Sequence, residues 1–416
     1  MAGLLPGRPA APGWITPTNS QSTGRMSARN IAVFCDGTWN NRDRTENDTS
    51  VARLEEVVQE AQGQQGRAEQ RTWYQAGVGA NDGLKGIWKL LDKFRGGALG
   101  RGLTADIREC YQFLVDTYRP GDKLFIFGFS RGAYTARSLA GLIRSAGIVS
   151  HSDDIDAAMA WYRNRAAITH PSSPQSHMFR ARVAPLYHTS AEEREWRRAN
   201  GMAPGTALGI DYLGVFDTVG AHGVPGVLGQ FRAVSGGHGF HDHQLSRSVY
   251  AGRHAVAIDE TRILYSPTLW ANLAHLNTLR GPSASGANPY QQLWFPGAHG
   301  KLGGSGAERA LSNAVLAWIV EGAIEAGLPI DLPESLQPEP DAHLGPLHNT
   351  SKGFDPTGLL RWVRNGPAIG AIDDLHETTL ARIKDRPDYR PGALRKLLLD
   401  GQSLREIQDR APTHRP

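Results

Sequence analysis

Residues 123–143, KLFIFGFSRGAYTARSLAGLI, carry the clearest pattern of secondary structure in the chain. The stretch opens with a short apolar run at residues 123–127, which is typical of a buried strand. From residue 133 to residue 148 the apolar side chains recur at helical spacing. Between the two runs stands Gly-Phe-Ser-Arg-Gly, with Ser130 at its centre. The sequence therefore predicts a strand, a sharp turn at a serine, and a helix.

A serine in such a turn is typical of a nucleophile, because the small flanking residues let its hydroxyl project above the sheet. The backbone N–H of Arg131 begins the predicted helix, where the helix dipole favours an oxyanion. A second donor is expected in the loop after the first strand, where Gly37 and Thr38 follow Asp36. We therefore expect Ser130 as nucleophile, and Arg131, Gly37 and Thr38 as the oxyanion and substrate-binding residues.

Strands and helices alternate on both sides of this stretch. Predicted strands cover residues 31–35, 71–76, 123–127, 212–216, 254–258 and 292–295, and predicted helices cover residues 49–61, 103–118, 133–148 and 309–326. Such alternation predicts the α/β class, with a mostly parallel sheet that carries helices on both faces. Together with the serine turn it predicts an alpha/beta-hydrolase-like sheet.

Composition along the chain predicts three regions. Residues 1–29 are rich in Pro, Gly, Ser and Thr and are expected to be a disordered tail. Residues 30–326 are expected to form the catalytic domain, and the charged, weakly periodic stretch at about 150–205 is interpreted as an inserted lid. Residues 327–416 are interpreted as a Pro-rich linker followed by a helical appendage.

Charge and cysteine content bear on which partners and cofactors are expected. The formal net charge of the 416 residues is only +4, without a long Lys/Arg block, so a nucleic-acid partner is not expected. The two cysteines stand in no zinc-type spacing, and neither a metal nor another cofactor is predicted. No signal-peptide or transmembrane stretch is recognisable, which predicts a cytoplasmic protein or one exported without a cleavable signal.

A serine nucleophile needs a histidine to take its proton and a carboxylate to orient that histidine. His299 stands directly after the last predicted strand. Two acids each end a predicted strand, Asp217 and Asp259. Counting strands slightly favours Asp259, because it ends the strand just before the one that leads to His299. The residues by themselves leave both acids open.

Five separated motifs occur in one order along the chain. They are FCDGTWN (34–40), GFSRGAY (128–134), DTV (217–219), HAVAIDE (254–260) and WFPGAH (294–299). Together they resemble an uncharacterised alpha/beta-hydrolase domain family that includes the catalytic domain of type VI secretion phospholipase effectors. The resemblance implies a lipase-like triad of Ser130, Asp217 and His299, with the acid in the DTV motif. It also implies a lipid or other ester substrate and an immunity or secretion partner.

The chain departs from this family pattern at one position. Members usually read Gly-x-His-Ser-Asp-x-Gly-Gly after the last strand, whereas this chain reads His299-Gly-Lys301-Leu-Gly-Gly. Lys301 therefore replaces an acid two residues after the expected base.

Residues 84–94 have Trp88 and other apolar side chains on one helical face and lysines on the other. Such a helix could contact a membrane surface, but a lid or a core-facing helix is the favoured interpretation. His238, His241, Asp242 and His243 are ligand-type residues, yet a flexible glycine-rich loop is the favoured interpretation.

The sequence thus predicts a serine esterase that cleaves carboxylic esters, of lipid or phospholipid, through an acyl-enzyme. Two alternatives stay open: a non-enzymatic binding or delivery module on a hydrolase scaffold, and a polyester or amide hydrolase with the same three residues.

Overall fold

The computed structural model describes residues 28–37, 48–62, 68–77, 98–164, 166–220, 244–262, 265–348 and 369–412. Three features of the sequence lie outside these ranges: Thr38, the amphipathic stretch 84–94, and the histidine-rich stretch 238–243.

A six-stranded parallel sheet forms the centre of the described protein. The described strands are β1 (Asn30–Cys35), β2 (Gln70–Gln75), β3 (Lys123–Phe129), β4 (Tyr187–His188), β5 (Thr206–Ala207), β6 (Tyr212–Phe216), β7 (Gly252–Ala257) and β8 (Tyr290–Phe295), with β4 and β5 forming a separate small sheet. The strand order of the large sheet is β2-β1-β3-β6-β7-β8, and every neighbouring pair is parallel. The predicted α/β architecture is confirmed.

Helices connect the strands. The described helices are α1 (Ser50–Glu60), α2 (Ala98–Thr117), α3 (Arg131–Ala146), α4 (Ile155–Arg163), α5 (Pro174–Val183), α6 (Ala191–Ala199), α7 (Leu273–Arg280), α8 (His299–Leu302), α9 (Ala310–Glu325), α10 (Glu377–Asp385), α11 (Arg395–Leu399) and α12 (Gly401–Arg410). Within the described ranges, none of these helices combines the length and the apolar character that crossing a bilayer requires.

Alternating side chains of the strands cover both faces of the sheet. On one face, residues such as Val33 and Ile126 pack with buried residues of α2 and α3. On the other face, residues such as Phe34 and Phe127 pack with α1 and α9. Successive residues of a strand point to opposite faces, so this division follows directly from the sequence and confirms helices on both faces.

The described fold begins before β1. Arg29, which the sequence analysis assigns to the tail, is buried and pairs with Asp122 at 2.6 Å. Its guanidinium also donates to the carbonyl of Thr117, the last residue of α2. Arg29 therefore fastens the start of β1 to the turn that precedes β3.

The charged stretch interpreted as a lid contains helices α4, α5 and α6. Helices α4 and α5 pack beside α3, where the ring of Tyr162 lies against Gly141, and α6 packs on α5. Two arginines, Arg180 and Arg197, are buried and share the carboxylate of Glu193 at 2.7 and 2.6 Å. This buried ion network lets a charged sequence form part of the interior.

The C-terminal helices pack on the edge of the sheet. Trp294 of β8 pairs with Leu375 through an isolated bridge, and Val256 of β7 belongs to the same hydrophobic cluster. Leu380 and Leu397 join this cluster from α10 and α11. The segment 369–411 therefore extends the core of the main domain.

Candidate active site

Ser130 stands at the turn between β3 and α3, with a φ of 58° and a ψ of −121°. Non-glycine residues rarely adopt such a positive φ, and the strain costs on the order of 1–3 kcal/mol. Two backbone bonds hold the turn against the end of β6. The N–H of Ser130 donates to the carbonyl of Phe216 at 3.0 Å, and the N–H of Val219 donates to the carbonyl of Ser130 at 3.3 Å.

Both glycines of the motif allow close backbone contacts. A Cβ on Gly132 would lie 2.1 Å from the carbonyl oxygen of Cys35, at the end of β1. A Cβ on Gly128 would lie 2.6 Å from the carbonyl oxygen of Gly132. The spacing Gly-x-Ser-x-Gly is therefore a requirement of packing at this turn, since any side chain would push α3 away from the sheet.

A continuous chain of hydrogen bonds links Ser130, His299 and Asp217. The Oγ of Ser130 lies 2.8 Å from Nε2 of His299, and Nδ1 of His299 lies 2.7 Å from Oδ2 of Asp217. A carboxylate can only accept, so Nδ1 carries the proton and Nε2 offers its lone pair to the serine hydroxyl. All three residues are buried. The arrangement matches the geometry of a nucleophile, a base and an orienting acid.

Asp217 follows β6, the strand next to β3 in the sheet. Its backbone is also strained, with a φ of 38°. Its N–H donates to the carbonyl of Ala255, and its Oδ1 accepts from the N–H of Ala257 at 3.0 Å. Burial by itself would raise the pKa of Asp217, but the hydrogen bond and charge of His299 and the Ala257 N–H outweigh it, so the pKa lies below its ordinary value.

Asp259, the acid that strand counting favours, has different partners. Its Oδ2 accepts from the N–H of Gly297 at 2.7 Å and from the hydroxyl of Tyr389 at 2.8 Å. Burial raises the pKa of this carboxyl group. Asp259 thus connects the loop before His299 to the C-terminal segment, while Asp217, the acid implied by the resemblance, contacts the imidazole.

Aromatic rings hold the imidazole of His299 in place. The ring of Phe129 lies 4.8 Å from it between centroids, and the ring of Tyr265 lies 4.7 Å from it. The backbone N–H of His299 donates to Glu260 at 3.2 Å, and Glu260 in turn forms a two-pronged ion pair with Arg262. Tyr265 stands outside any predicted element and carries no sequence signal for this role.

A second histidine supports the residue after Asp217. The N–H of Thr218 donates to Nε2 of His254 at 3.1 Å, and Nδ1 of His254 donates to the side-chain oxygen of Gln292 at 2.9 Å. Burial, together with the charge of Arg137, lowers the pKa of His254 to about 3. His254 is therefore neutral, with its proton on Nδ1. The sequence offers only a histidine within an apolar strand, which does not disclose this contact.

The first oxyanion candidate is the backbone N–H of Arg131. It is the first residue of α3, where N–H groups have no acceptor inside the helix. The positive end of the helix dipole lies at the same place. Arg131 thus stands where the sequence places it, directly beside the hydroxyl of Ser130.

The second candidate, Gly37, already uses its N–H. This group donates to Oδ1 of Asp36 at 2.6 Å. Oδ2 of the same carboxyl group accepts from the hydroxyls of Thr49 and Tyr74, both at 2.6 Å. Burial raises the pKa of Asp36 to about 6. Asp36 therefore organises the loop after β1, and Gly37 is engaged with it in this structure.

Lys301, the departure from the family pattern, is buried in α8, two residues after His299. Its ammonium group donates to the carbonyl oxygen of Glu308 at 3.1 Å. Burial lowers the pKa of Lys301. The lysine therefore stabilises the loop that joins α8 to α9.

Within the described ranges, no group of three or more His, Cys, Asp or Glu side chains is placed to hold a metal ion. The polar groups that meet at Ser130 are a hydroxyl, an imidazole and a carboxylate. That set is sufficient for nucleophilic acyl transfer.

Comparison with known proteins adds a family match. The family described as "T6SS, Phospholipase effector Tle1-like, catalytic domain" matches residues 29–322. An uncharacterized protein of Saccharomyces cerevisiae is 27% identical over 261 residues, which are 60% of this chain and 33% of the yeast protein. The chain thus spans about a third of the length of that curated relative.

Two solved structures are similar at 18% identity. One is the crystal structure of an uncharacterized protein from Pseudomonas aeruginosa, with a TM-score of 0.35 over 76% of this chain and 48% of that one. The other is the Tle1 effector bound to the VgrG spike of the type VI secretion system, with a TM-score of 0.34 over 71% and 54%.

Proposed function

Because this chain belongs to the Tle1-like family of type VI secretion phospholipase effectors, across their catalytic domain, we propose that it hydrolyses carboxylic esters of lipids with Ser130 as nucleophile. The observation that carries the proposal is the hydrogen-bonded chain from Ser130 through His299 to Asp217. It stands at the carboxyl ends of the parallel strands, the usual position of active sites in α/β sheets.

The reaction begins when Nε2 of His299 takes the proton of the Ser130 hydroxyl. The serine oxygen then bonds to the acyl carbon, and the carbonyl oxygen becomes an oxyanion. His299 returns the proton to the leaving alcohol, which leaves an acyl-enzyme on Ser130. A water molecule, deprotonated by His299, releases the fatty acid and restores the serine. Asp217 keeps the proton on Nδ1 and stabilises the imidazolium while it exists.

The oxyanion is stabilised first by the N–H of Arg131 and by the dipole of α3. Gly37 is the second donor of the proposal. To act as this donor, the N–H of Gly37 must release Oδ1 of Asp36 and donate to the oxyanion instead. Asp36 then retains the hydroxyl groups of Thr49 and Tyr74.

Family membership also supports the substrate and the partners. A phospholipase effector acts on a bilayer, so we propose phospholipid as the substrate and transient contact with a membrane surface. One similar protein, the Tle1 effector, is bound to the VgrG spike. A spike protein is therefore the proposed delivery partner, and an immunity protein the proposed inhibitor.

Phospholipid vesicles test the proposal. Purified wild type would be incubated with phosphatidylethanolamine and phosphatidylglycerol vesicles, and fatty acid and lysophospholipid would be measured by mass spectrometry. Ser138→Ala is a matched control, since Ser138 is a buried serine of α3, the helix that follows Ser130. Wild type and the control should release fatty acid, and Ser130→Ala should lose at least about 1,000-fold in rate. A folded wild type that releases no fatty acid would refute lipid ester hydrolysis.

A further inference from the structure

A cavity of about 230 Å³ lies beside the part of α3 that is remote from Ser130. The helix contributes Arg137, Gly141 and Arg144 to its lining, and segments 162–164, 166–171 and 244–246 supply further walls. Leu213, Leu245 and Trp270 form a buried floor. The rim is exposed at Asn164 and His170, so the cavity opens to solvent.

Two arginines of α3 face this cavity. Arg137 and Arg144 are seven residues apart, which is about two helical turns, so both lie on one side of the helix about 10 Å apart along its axis. Arg137 is buried, donates to the carbonyl of Thr268 and lies over the ring of Trp270 at 5.3 Å. Its guanidinium is therefore fixed before any ligand arrives.

Arg144 has no carboxylate within ion-pair distance among the described residues, unlike several other arginines of this chain. Burial lowers the pKa of Arg144, and the neighbouring charges of Arg247 and Arg180 lower it further, against the opposing charge of Glu192. Arg180 is compensated by Glu193. Arg144 therefore brings to the cavity a positive charge that no described carboxylate balances within ion-pair distance.

The wall of the cavity is preformed. The guanidinium of Arg180 donates to the carbonyls of Ser145 at 3.0 Å and Pro171 at 2.8 Å, and so joins α3 to the opposite wall. A Cβ on Gly141 would lie 2.9 Å from the hydroxyl of Tyr162. Direct contacts therefore hold the two walls together around the cavity.

We propose that this cavity binds a phosphate or phosphate-ester anion, with the guanidinium groups of Arg137 and Arg144 as its ligands. Guanidinium groups match phosphate oxygens in geometry and bind them with charge-assisted hydrogen bonds. A volume of 230 Å³ exceeds that of several water molecules of about 30 Å³ each. A phosphate group fits with part of an ester substituent, which would lie against Trp270 and Leu245. The anion comes either from a lipid headgroup or from free phosphate.

Calorimetric titration with inorganic phosphate at constant ionic strength tests the site. Wild type should bind phosphate saturably, and Arg144→Gln should weaken binding by at least about tenfold, as loss of one charge-assisted bond requires. Arg198→Gln is the matched control, because Arg198 is exposed on α6 and pairs only with exposed Glu195. The control should bind like wild type. Wild type without saturable binding, or Arg144→Gln with unchanged affinity, would overturn the proposal.

A second measurement needs no variant and therefore does not depend on the folding of Arg144→Gln. Phenylglyoxal modifies arginine side chains, and peptide mapping reports each position. Phosphate should protect Arg144 and leave Arg198 reactive, whereas equal modification with and without phosphate would overturn the site.

Vesicles of phosphatidylcholine with and without phosphatidic acid, added to Ser130→Ala protein, then distinguish the two sources of the anion. If vesicles that contain phosphatidic acid compete with phosphate for the cavity, the ligand is a lipid headgroup. If they do not compete, the ligand is free phosphate. Both outcomes are independent of hydrolysis at Ser130.

Discussion

Nδ1 of His299 lies 2.7 Å from Oδ2 of Asp217, although 82 positions separate the two residues along the chain. The contact joins the ends of two strands, β6 and β8, that are not neighbours in the sheet. The loop at residues 296–298, between β8 and α8, carries His299 back across β7 to reach the acid. This contact decides between two acids that have equivalent positions in the sequence.

Replacement of each acid by asparagine should therefore give different results. Asp217→Asn removes the acceptor that holds the proton on Nδ1, so the rate of ester hydrolysis should fall by roughly 10⁴-fold. Asp259→Asn is the matched control at the end of the neighbouring strand and should keep the rate within about tenfold. The measurement is kcat on a soluble p-nitrophenyl ester. Equal losses in both variants would contradict the assignment.

Acid should destabilise the protein through His254. Its folded-state pKa of about 3 lies below the ordinary value of 6.5, so the unfolded chain binds the proton more tightly. The stability from neutral His254 is complete above pH 6.5 and is lost as the pH falls toward 3. Between pH 7 and pH 4, wild type should lose roughly 3 kcal/mol more unfolding free energy than His254→Gln, at about 1.4 kcal/mol per pKa unit. Urea unfolding at several pH values checks this, and parallel pH profiles would contradict it.

Gly132, two residues after Ser130, should not tolerate a methyl group. Gly132→Ala places a Cβ 2.1 Å from the carbonyl of Cys35, and overpacking of this kind costs about 1–3 kcal/mol. Gly401→Ala is the control, because a Cβ there meets no atom within 4 Å. Thermal unfolding should show a lower Tm for Gly132→Ala only. An unchanged Tm would mean that α3 can move away from β1 without cost.

Restoring the acid of the family pattern should be harmful here. In Lys301→Asp a buried carboxylate would face the carbonyl of Glu308, which offers no donor, and an unmet buried polar group costs about 1–3 kcal/mol. Lys301→Met keeps the apolar stem without the charge and should retain hydrolysis within a few-fold. Urea unfolding and ester turnover measure the two effects. A more active Lys301→Asp would show that the lysine impairs the site.

The central strands could be predicted from sequence because each is a buried apolar run. The strand at 212–216 coincides with β6, whereas β7 begins two residues before the predicted 254. The reason is Arg253, a charged residue that interrupts the apolar pattern from which the strand is predicted. It is buried and pairs with Glu321 of α9.

The charged insertion was harder to interpret for the same reason. Arg180, Glu193 and Arg197 are buried charges that satisfy one another, and a sequence pattern treats charges as solvent-exposed. The helices in this region are therefore visible only in the structure, and the lid function assigned to residues 150–205 stays a prediction.

In the candidate site, Ser130 and His299 could be predicted because their local context is informative. The choice of Asp217 over Asp259 depends on how far the loop before His299 reaches across the sheet, which no local pattern records. His254 and Tyr265 act through contacts across the sheet, and the sequence carries no periodic signal for such contacts.

Covalent labelling identifies the nucleophile of the protein by its position in the chain. The protein would be treated with a fluorophosphonate probe, digested, and the modified peptide identified by mass spectrometry. The label should lie on Ser130, should be absent from Ser130→Ala, and should form far more slowly in His299→Ala, because the imidazole no longer takes the proton. Equal labelling of wild type and Ser130→Ala, or a folded wild type that remains unlabelled, would contradict the assignment of Ser130 as the nucleophile.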